Sequence, residues 1–194
     1  MKFIPLIKTK EIKKVKEISD MFTHFSENNK SISSVYLLDK KGLDKNHPDL
    51  SLHQYAQRWF TTIVDAGCQH IGDVVDVLLA GADIVVLRPY IWREPDLSSI
   101  RDISESKMYL WFDPNNKYIL KPYASLLYNQ ADGIVLNLDQ QNSPLSFPVC
   151  DIIKKLVTSY SVDNILIFDP NNKHDREIKS YNVPNRIVNQ EQVD

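Results

Sequence analysis

Five stretches of the chain are β-rich apolar runs that end abruptly on an aspartate. They end at Asp39, Asp65, Asp113, Asp139 and Asp169. Runs of this apolarity are typical of strands that are buried on both faces, as in a parallel sheet. Because ligands bind at the carboxyl ends of such strands, the five acids predict a functional rim at one edge of the sheet.

Helical segments separate these strands in a repeating βαβ order. Apolar spacing and capping signals predict helices over 10–27, 51–59, 71–79, 96–103, 121–129, 149–160 and 175–181, with a loop between residues 39 and 51. Further strands at 3–7, 83–88 and 186–188 bring the predicted number to eight. Eight alternating units favour a compact (β/α)8 TIM barrel over an open doubly wound sheet, as one α/β domain spanning residues 1–194.

The composition favours one soluble domain in a reducing compartment. The 194 residues carry a formal net charge of −2 with scattered Lys and Arg, which disfavours a nucleic-acid partner. No apolar run approaches the roughly 20 residues that span a bilayer, and the first residues lack a secretion signal. Cys68 and Cys150 are too few for a disulfide framework. We therefore expect a cytoplasmic protein with no membrane partner.

The hexapeptide Phe-Asp-Pro-Asn-Asn-Lys occurs twice, with its acids at Asp113 and Asp169. One interpretation is a turn, which this composition favours by itself. The other makes the two acids a catalytic pair facing one mouth, where repulsion between close carboxylates keeps one protonated beside an ionised one. In the second interpretation Lys117 and Lys173 neutralise part of the rim or hold an anionic substrate.

Two basic residues at strand ends also have alternative roles. Lys8, the third predicted catalytic residue, either forms a Schiff base or pairs with a rim acid. Arg88 either holds a substrate carboxylate or ties down Asp65 or Asp113. The predicted substrate-binding residues, besides Arg88 and the two hexapeptide lysines, are Asp39, Asp65, Asn137 and Asp139.

A metal site and a cofactor are not indicated. Cys68 and His70 follow Asp65 closely, but no third ligand converges with them in the sequence. A ring of carboxylates could bind Mg²⁺, yet no ligand spacing points to one. The sequence identifies no cofactor, so the expected partner of the rim is a small-molecule substrate.

Several segments resemble, in order, the histidine-biosynthesis barrel family, which comprises the ProFAR isomerase and the imidazole-glycerol-phosphate cyclase. The opening Phe-Ile-Pro-Leu-Ile is similar to the family's Ile-Pro-Ala-Ile-Asp, and Ala-Gly-Ala-Asp-Ile-Val-Val-Leu to its Leu-Gly-Ala-Asp-Arg-Val-Val-Ile. The resembling segments are 3–7, 36–39, 65–68 followed by 72–74, 80–87, and 131–136 followed by 145–148. The resemblance implies a ribulose-phosphate-binding-barrel-like fold and a site with one acid at the end of the first strand and one at the end of the fifth.

The departures from this family bear on function. Asp113 matches the fifth-strand acid, but Lys8 stands at the first-strand position and Asn137 at a family threonine. Pro89 and Pro170 stand where the family has glycine turns that bind the two substrate phosphates, and proline has no N–H to donate. The chain is therefore predicted to be a poor ProFAR isomerase.

The resulting functional prediction is a diverged small-molecule enzyme that uses strand-end carboxylates for acid/base isomerase, condensation or lyase chemistry. Related barrels that lack the isomerase site also occur among the one-carbon genes of methanogens and methylotrophs. By resemblance alone, a step in methanopterin- or methanofuran-type cofactor synthesis is implied. The alternative is a non-catalytic barrel that acts as a subunit or scaffold.

Truncated final helices predict an association surface. Nothing after Val188 can form an eighth helix, and the segment 175–181 is short and polar. The outer faces of the last strands and the first should then expose an apolar strip. A homodimer, or a permanent protein partner, would bury that strip.

Overall fold

A closed barrel of eight parallel strands forms the centre of the protein. A computed structural model describes residues 2–9, 16–27, 32–92, 95–116 and 130–193. The strands are β1 (Lys2–Lys8), β2 (Ser34–Leu38), β3 (Thr61–Asp65), β4 (Ile84–Leu87), β5 (Lys107–Phe112), β6 (Gly133–Asn137), β7 (Ile165–Phe168) and β8 (Asn185–Asn189). They pair in chain order, and β8 pairs with β1 to close the ring. The predicted closed parallel α/β barrel is confirmed.

Helices on the outside connect successive strands. In the described ranges they are α1 (Lys16–Glu27), α2 (Lys40–Lys45), α3 (Leu50–Ala56), α4 (Ile71–Leu79), α5 (Leu97–Arg101), α6 (Phe147–Ser159) and α7 (Asp175–Lys179). Apart from α2, their bounds match the predicted helices within a few residues, whereas the predicted stretches 10–15 and 121–129 lie outside the described residues. Within the described residues, no helix combines the length and apolarity needed to cross a bilayer.

Helix α2 occupies a stretch for which the sequence predicts a loop. Asp39 Oδ1 accepts hydrogen bonds from the N–H groups of Lys41 at 3.0 Å and Gly42 at 3.1 Å, so its side chain caps the first turn. Asn46 closes the other end with a left-handed φ of 50°. The aspartate that ends the second apolar run therefore starts a helix.

Alternation along the strands divides the apolar core into two layers. The layer inside the barrel contains Ile4, Leu6, Tyr36, Leu38, Ile63, Val86, Tyr109, Trp111, Val135, Leu166, Phe168 and Ile187. The outward-facing strand residues pack instead against the helices. Both faces of each strand are covered, which explains why the strands are continuous apolar runs in the sequence.

The apolar strip predicted beside the termini is not exposed in the described residues. Val188 on β8 is fully buried and packs against Val193, which follows a single 3-10 turn at Gln190–Gln192. Phe3 and Ile32 pack against the same pair. The prediction of an exposed strip is wrong here because these side chains cover the outer side of β8 and β1. The homodimer or protein partner stays a prediction, without support from this surface.

Candidate active site at the barrel mouth

The rim predicted from the strand ends is present at one end of the barrel. Because the eight strands are parallel, the five aspartates lie at or just beyond the carboxyl ends of β2, β3, β5, β6 and β7. A cavity of about 570 Å³ opens at this end. Of the five acids, Asp113 and Asp139 are among the described residues that line it, whereas Asp39, Asp65 and Asp169 are not.

The two copies of the hexapeptide form the same turn but direct their acids to opposite sides of the barrel wall. In both copies the N–H of the second asparagine donates to the aspartate carbonyl oxygen, at 2.9 and 2.8 Å. Phe168 belongs to the inner layer of the core, whereas Phe112 belongs to the outer layer. Since successive residues of a strand face opposite sides, Asp113 faces the cavity and Asp169 does not. The turn interpretation is confirmed, and the pairing of Asp113 with Asp169 in one mouth is not formed.

Asp169 belongs to a buried charged group behind the rim. Its Oδ2 accepts a 2.8 Å hydrogen bond from the backbone N–H of His174. Arg186 on β8 is fully buried and donates through Nη1 to the carbonyl oxygen of Val183 at 2.7 Å. Burial lowers the pKa of Arg186 to about 10, and the charges of Asp175 and Asp169 oppose this shift. Asp169 therefore helps to keep a buried cation charged.

Asp65 and Arg88 form a buried ion pair beside the cavity. Arg88 Nε donates to Asp65 Oδ1 at 2.9 Å, and Arg88 Nη2 donates to Asp65 Oδ2 at 2.6 Å. The Tyr36 hydroxyl donates to the same Oδ2 atom at 2.7 Å. The guanidinium lies over the Trp111 ring, with Cζ 3.9 Å from the ring centroid, and Nη1 donates to the Tyr90 hydroxyl. Of the roles open to Arg88, the structure shows the tie to Asp65.

The environment of this ion pair fixes its ionisation. Burial raises the pKa of Tyr36 well above its ordinary value, and the charge of Asp65 adds to the rise. Burial alone would lower the pKa of Arg88, but the charge and hydrogen bonds of Asp65 raise it above its ordinary value. Arg88 therefore stays charged and Tyr36 stays a hydrogen-bond donor. The pair forms a part of the cavity wall in which the two charges balance.

Asp113, Asn137 and Asp139 form an acidic wall of the cavity. Asp113 Oδ1 accepts from the N–H of Asn115 at 2.9 Å, and Oδ2 accepts from Asn137 Nδ2 at 3.3 Å. Asn137 Oδ1 in turn accepts from the N–H of Asp139 at 3.2 Å. The exposed Lys173 donates to the backbone oxygen of Asp139 at 3.4 Å and lies outside the described lining. Hydrogen bonds thus orient the Asp113 carboxylate at the cavity.

Lys8 and Lys40 form a basic wall on the other side of the mouth. Lys8 is the last residue of β1, and Lys40 begins α2 directly beyond β2. Thr9 links the two strand ends, because its hydroxyl donates to Asp39 Oδ1 and accepts from the N–H of Lys40, both at 3.2 Å. The structure therefore brings Lys8 to the cavity, whereas Lys117 lies outside the described residues.

Carboxamide side chains make up much of the remaining polar lining. They are Asn116, Asn137, Gln140, Asn171 and Asn189. Asn189 Nδ2 donates to Asn171 Oδ1 at 3.3 Å, which joins the end of β8 to the loop after β7. Sequence reasoning identified only Asn137, because it searched strand ends for acids. A search for every polar residue at a strand end, or within a few residues beyond it, would have found all five.

Asp39 is buried below the rim, where it stabilises the neighbouring segments. Its Oδ2 accepts from the N–H of Asp49 at 2.6 Å and lies 2.9 Å from His53 Nε2, with both side chains fully buried. Burial favours a raised pKa for Asp39, but hydrogen bonds from His53 and from the N–H groups of Asp49 and Gly42 lower it to about 2. These contacts join β2 to α2 and α3, so Asp39 positions the segment that carries Lys40.

We expect the stability that Asp39 provides to disappear in acid. Its pKa is about 2 in the folded protein, below the value of about 3.9 in an unfolded chain. The contribution is therefore present above about pH 5 and is lost as the pH falls from about 4 through 2. The difference in free energy of unfolding between wild type and Asp39→Asn, which keeps a capping side chain, should be about 1–2 kcal/mol near neutrality after allowance for screening. Urea titrations over this pH range measure the difference, and a constant difference contradicts the assignment.

Cys68 and His70 are not arranged as a metal centre in the described part of the chain. Among the described residues, no group of three or more His, Cys, Asp or Glu side chains is placed to hold an ion. His70 Nδ1 accepts from the N–H of Asp73 at 3.3 Å and caps α4. Burial, with a smaller effect from the charges of Asp73 and Asp65, raises the pKa of the Cys68 thiol to about 12, which disfavours the thiolate.

Comparison with known proteins does not assign the chain to a family. No family model matches the sequence, and no curated protein matches it. The resemblance to the histidine-biosynthesis barrels therefore rests on the short segments given above and on the closed parallel barrel.

Proposed function

We propose that the protein is a small-molecule enzyme whose substrate binds in the barrel mouth, with Asp113 as the proton-transferring group. The observation that supports this most directly is the position of Asp113, a carboxylate oriented by two hydrogen bonds at a cavity of about 570 Å³. Cavities of about 300–1,000 Å³ with a few well-placed polar groups are typical of small-molecule sites.

In this proposal Asp113 acts first as a base and then as an acid. It removes a proton from a hydroxyl-bearing carbon next to a substrate carbonyl group and returns it to the former carbonyl carbon, while the hydroxyl proton moves to the former carbonyl oxygen, which isomerises the substrate. Condensations that proceed through an enolate, and lyase reactions that eliminate a leaving group β to the carbonyl, begin with the same proton abstraction. The amide of Asn137 holds the carboxylate in place, and Lys8 stabilises the negative charge that develops on the substrate oxygen. A Schiff base at Lys8 is the alternative way to stabilise that charge.

The resemblance supports the same location for the chemistry. Lys8 ends β1 and Asp113 follows β5, the positions at which the histidine-biosynthesis barrels carry two acids. The lysine reverses the charge of the first position, and Pro170 lines the mouth where that family has a glycine turn. We therefore propose a diverged barrel of this type with a substrate that does not carry two phosphates. A step in methanopterin- or methanofuran-type cofactor synthesis is proposed on resemblance alone.

A non-catalytic barrel is the second candidate function, and one observation favours it. Three of the five strand-end acids have structural partners: Asp39 caps α2, Asp65 pairs with Arg88, and Asp169 accepts from the N–H of His174. A scaffold would retain such residues for stability. It would not, however, depend on the Asp113 carboxylate.

Protein-dependent conversion of metabolites tests the enzyme proposal. Purified protein is incubated with the small-molecule fraction of its source cells, and the mixture is compared by mass spectrometry and chromatography before and after. We expect paired loss and gain of compounds, at equal mass for an isomerisation, and a decrease of about 10²–10⁴-fold in Asp113→Asn. Asp102→Asn, at an exposed position between α5 and β5, is the matched control and should keep the wild-type rate. Absence of conversion, or equal conversion by Asp113→Asn, would overturn the proposal.

A further inference from the structure

Tyr90 lines the cavity, and two sets of hydrogen bonds position it there. It lies in the turn after β4, which is closed by hydrogen bonds from the N–H groups of Ile91 and Trp92 to the carbonyl oxygen of Arg88, at 2.9 and 3.1 Å. The side chain of Tyr90 is 44% exposed, and Arg88 Nη1 donates to its hydroxyl oxygen. The turn therefore positions the backbone of Tyr90, and Arg88 positions its hydroxyl group.

Arg88 is itself held by a buried partner. Its Nε and Nη2 atoms donate to the carboxylate of Asp65, which is fully buried, and its guanidinium lies over the ring of Trp111. A movement of Arg88 away from Tyr90 would disturb these contacts and weaken the pairing of a buried carboxylate, which is costly. The group that positions the Tyr90 hydroxyl is thus part of the buried structure beside the cavity.

The hydrogen bond from Arg88 also decides where the hydroxyl proton of Tyr90 points. Because the Tyr90 oxygen accepts from Arg88, its own O–H group is directed away from the guanidinium. Among the described residues, none accepts a hydrogen bond from this hydroxyl. The proton of Tyr90 is therefore available to a ligand in the mouth.

Tyr90 and Asp113 lie on the same side of the mouth. They follow β4 and β5, which pair directly with each other. Trp111 and Asp113 are two positions apart and so face the same side of their strand. Arg88, which donates to Tyr90, lies over the Trp111 ring with Cζ 3.9 Å from its centroid. A hydroxyl group and a carboxylate thus line neighbouring parts of one cavity.

The proposed isomerisation needs two proton transfers, and Asp113 accounts for only one of them. Asp113 moves a proton between two carbons, but a hydroxyl proton must also reach the former carbonyl oxygen. A group that serves both oxygens has to donate to one and accept from the other. A hydroxyl group does both, whereas an ammonium group such as that of Lys8 only donates and an ionised carboxylate only accepts. Among the described lining residues, Tyr90 alone carries a hydroxyl group.

We propose that Tyr90 is a second catalytic residue, which transfers the proton between the two substrate oxygens. Asp113 takes the proton of the hydroxyl-bearing carbon, and the electron pair of that C–H bond forms a C=C bond to the carbonyl carbon. The carbonyl oxygen, which then carries the negative charge, receives the proton of the Tyr90 hydroxyl. The hydrogen bond from Arg88 stabilises the charge that develops on the Tyr90 oxygen during this transfer.

The second half of the reaction restores both residues. Tyr90 takes the proton of the neighbouring substrate hydroxyl, and the electron pair of that O–H bond forms the new C=O bond. The C=C electron pair takes the proton of Asp113 at the former carbonyl carbon. Both residues end in the state in which they began, so the reaction needs no oxidant, reductant or further reactant. The inference rests on the proposed function, because it assumes that Asp113 removes the carbon-bound proton.

Incubation of the protein with the metabolite fraction of its source cells in D₂O separates the two proton transfers. Deuterium on oxygen is washed out in H₂O before mass spectrometry, so the deuterium that remains reports exchange at carbon. In Tyr90→Phe we expect conversion to fall at least about 10²-fold. Deuterium should still enter the reactant within about ten-fold of the wild-type rate, because Asp113 and Lys8 remain. Asp113→Asn should lose both conversion and exchange.

Tyr55→Phe on α3, outside the described lining, is the matched control and should keep the wild-type rates. Conversion by Tyr90→Phe at the wild-type rate would overturn the inference. An equal loss of conversion and of deuterium exchange in Tyr90→Phe would also overturn it, since that result indicates a residue that only positions its neighbours. In either case Asp113-dependent conversion by the wild type leaves the enzyme proposal standing.

A binding experiment tests Tyr90 without turnover. Glycolohydroxamate carries oxygens on two neighbouring atoms, as the reaction intermediate does, and glycolamide lacks the second oxygen. In NMR titrations of ¹⁵N-labelled protein with EDTA present, wild type and Tyr55→Phe should bind glycolohydroxamate at least about ten-fold more tightly than glycolamide. Tyr90→Phe should lose this preference, and a preference that it retains contradicts the inference. A Tyr90-dependent preference in a protein without Asp113-dependent conversion supports the place of Tyr90 at the oxygen pair and overturns the enzyme proposal.

Discussion

Replacing Asp65 with alanine should lower the free energy of unfolding by about 3–5 kcal/mol. The substitution removes the carboxylate that accepts hydrogen bonds from Arg88 and Tyr36. It leaves the guanidinium of Arg88, a residue that is only 8% exposed, without its charge partner. An unpaired buried charge is among the most destabilising changes a single substitution can make. Urea unfolding followed by tryptophan fluorescence measures the loss.

A double variant separates the unpaired charge from lost packing. Arg88→Met keeps much of the aliphatic stem over Trp111 and removes the charge. If the unpaired guanidinium is the main cause of instability, Asp65→Ala combined with Arg88→Met should be more stable than Asp65→Ala alone by at least about 1 kcal/mol. A loss equal to the sum of the two single losses would contradict this explanation.

Gly133→Ala should destabilise the protein by about 3 kcal/mol, the upper end of the usual range for overpacking. A Cβ atom at this position would lie 2.3 Å from the backbone oxygen of Asn164 and 2.6 Å from Cζ of Tyr109. Neither group can move away easily, because Tyr109 is 2% exposed inside the barrel and its hydroxyl donates to Asn164 Oδ1 at 3.2 Å. The expected result is a lower urea midpoint with an unchanged denaturant slope.

Gly72→Ala is the matched control for the glycine substitution. A Cβ atom there meets only the side chain of His70, at 3.1 Å from Nδ1, and that side chain is exposed and can turn away. Because Gly72 lies within α4, the better helix propensity of alanine opposes the loss of the His70 cap, and stability should change by no more than about 1 kcal/mol in either direction. Equal stability of the two alanine variants would show that β5, β6 and the segment before β7 are not as tightly packed as the structure indicates.

The tight packing at Gly133 and the buried ion pair of Asp65 indicate that these residues stabilise the barrel. Asp39 and Asp169 add to this, since each accepts backbone hydrogen bonds away from the cavity. What remains for chemistry is a smaller set, centred on Asp113, than the five acids of the rim suggested. Asp113 is therefore the acid whose presence is least explained by a role in stability, and the Asp113→Asn experiment tests whether it has a role in catalysis.

The barrel could be predicted from the sequence because its signal is local. Continuous apolar runs of strand length can be buried only in a sheet covered on both sides, and Gly81 after α4 ends that helix with a left-handed φ of 91°. The helix at 71–79 was accordingly predicted with the observed bounds. The rim was predictable for the same reason, since parallel strands place all their carboxyl ends on one side.

Contacts between residues that are far apart in the sequence could not be predicted in this way. Arg88 had two acids within reach of its strand end, and pairing with Asp65 depends on how the neighbouring strands β3 and β4 lie in the closed ring. Helix α2 was missed because the stretch after Asp39 was interpreted as a loop, whereas the Asp39 side chain caps a helix there. The burial of Val188 depends on Val193, which the sequence pattern did not include in any element.

The hexapeptide shows most clearly where sequence information ends. Identical residues formed the same turn twice, because turn formation depends on the local preferences of Asp, Pro and Asn. Sequence alone thus determined the barrel, the rim and both turns. The tertiary structure alone decided that Asp113 faces the cavity and Asp169 does not, because Phe112 packs outward on β5 and Phe168 packs inward on β7. Side chains alternate along a strand, so a difference of one residue in register between two strands reverses the face of every residue that follows.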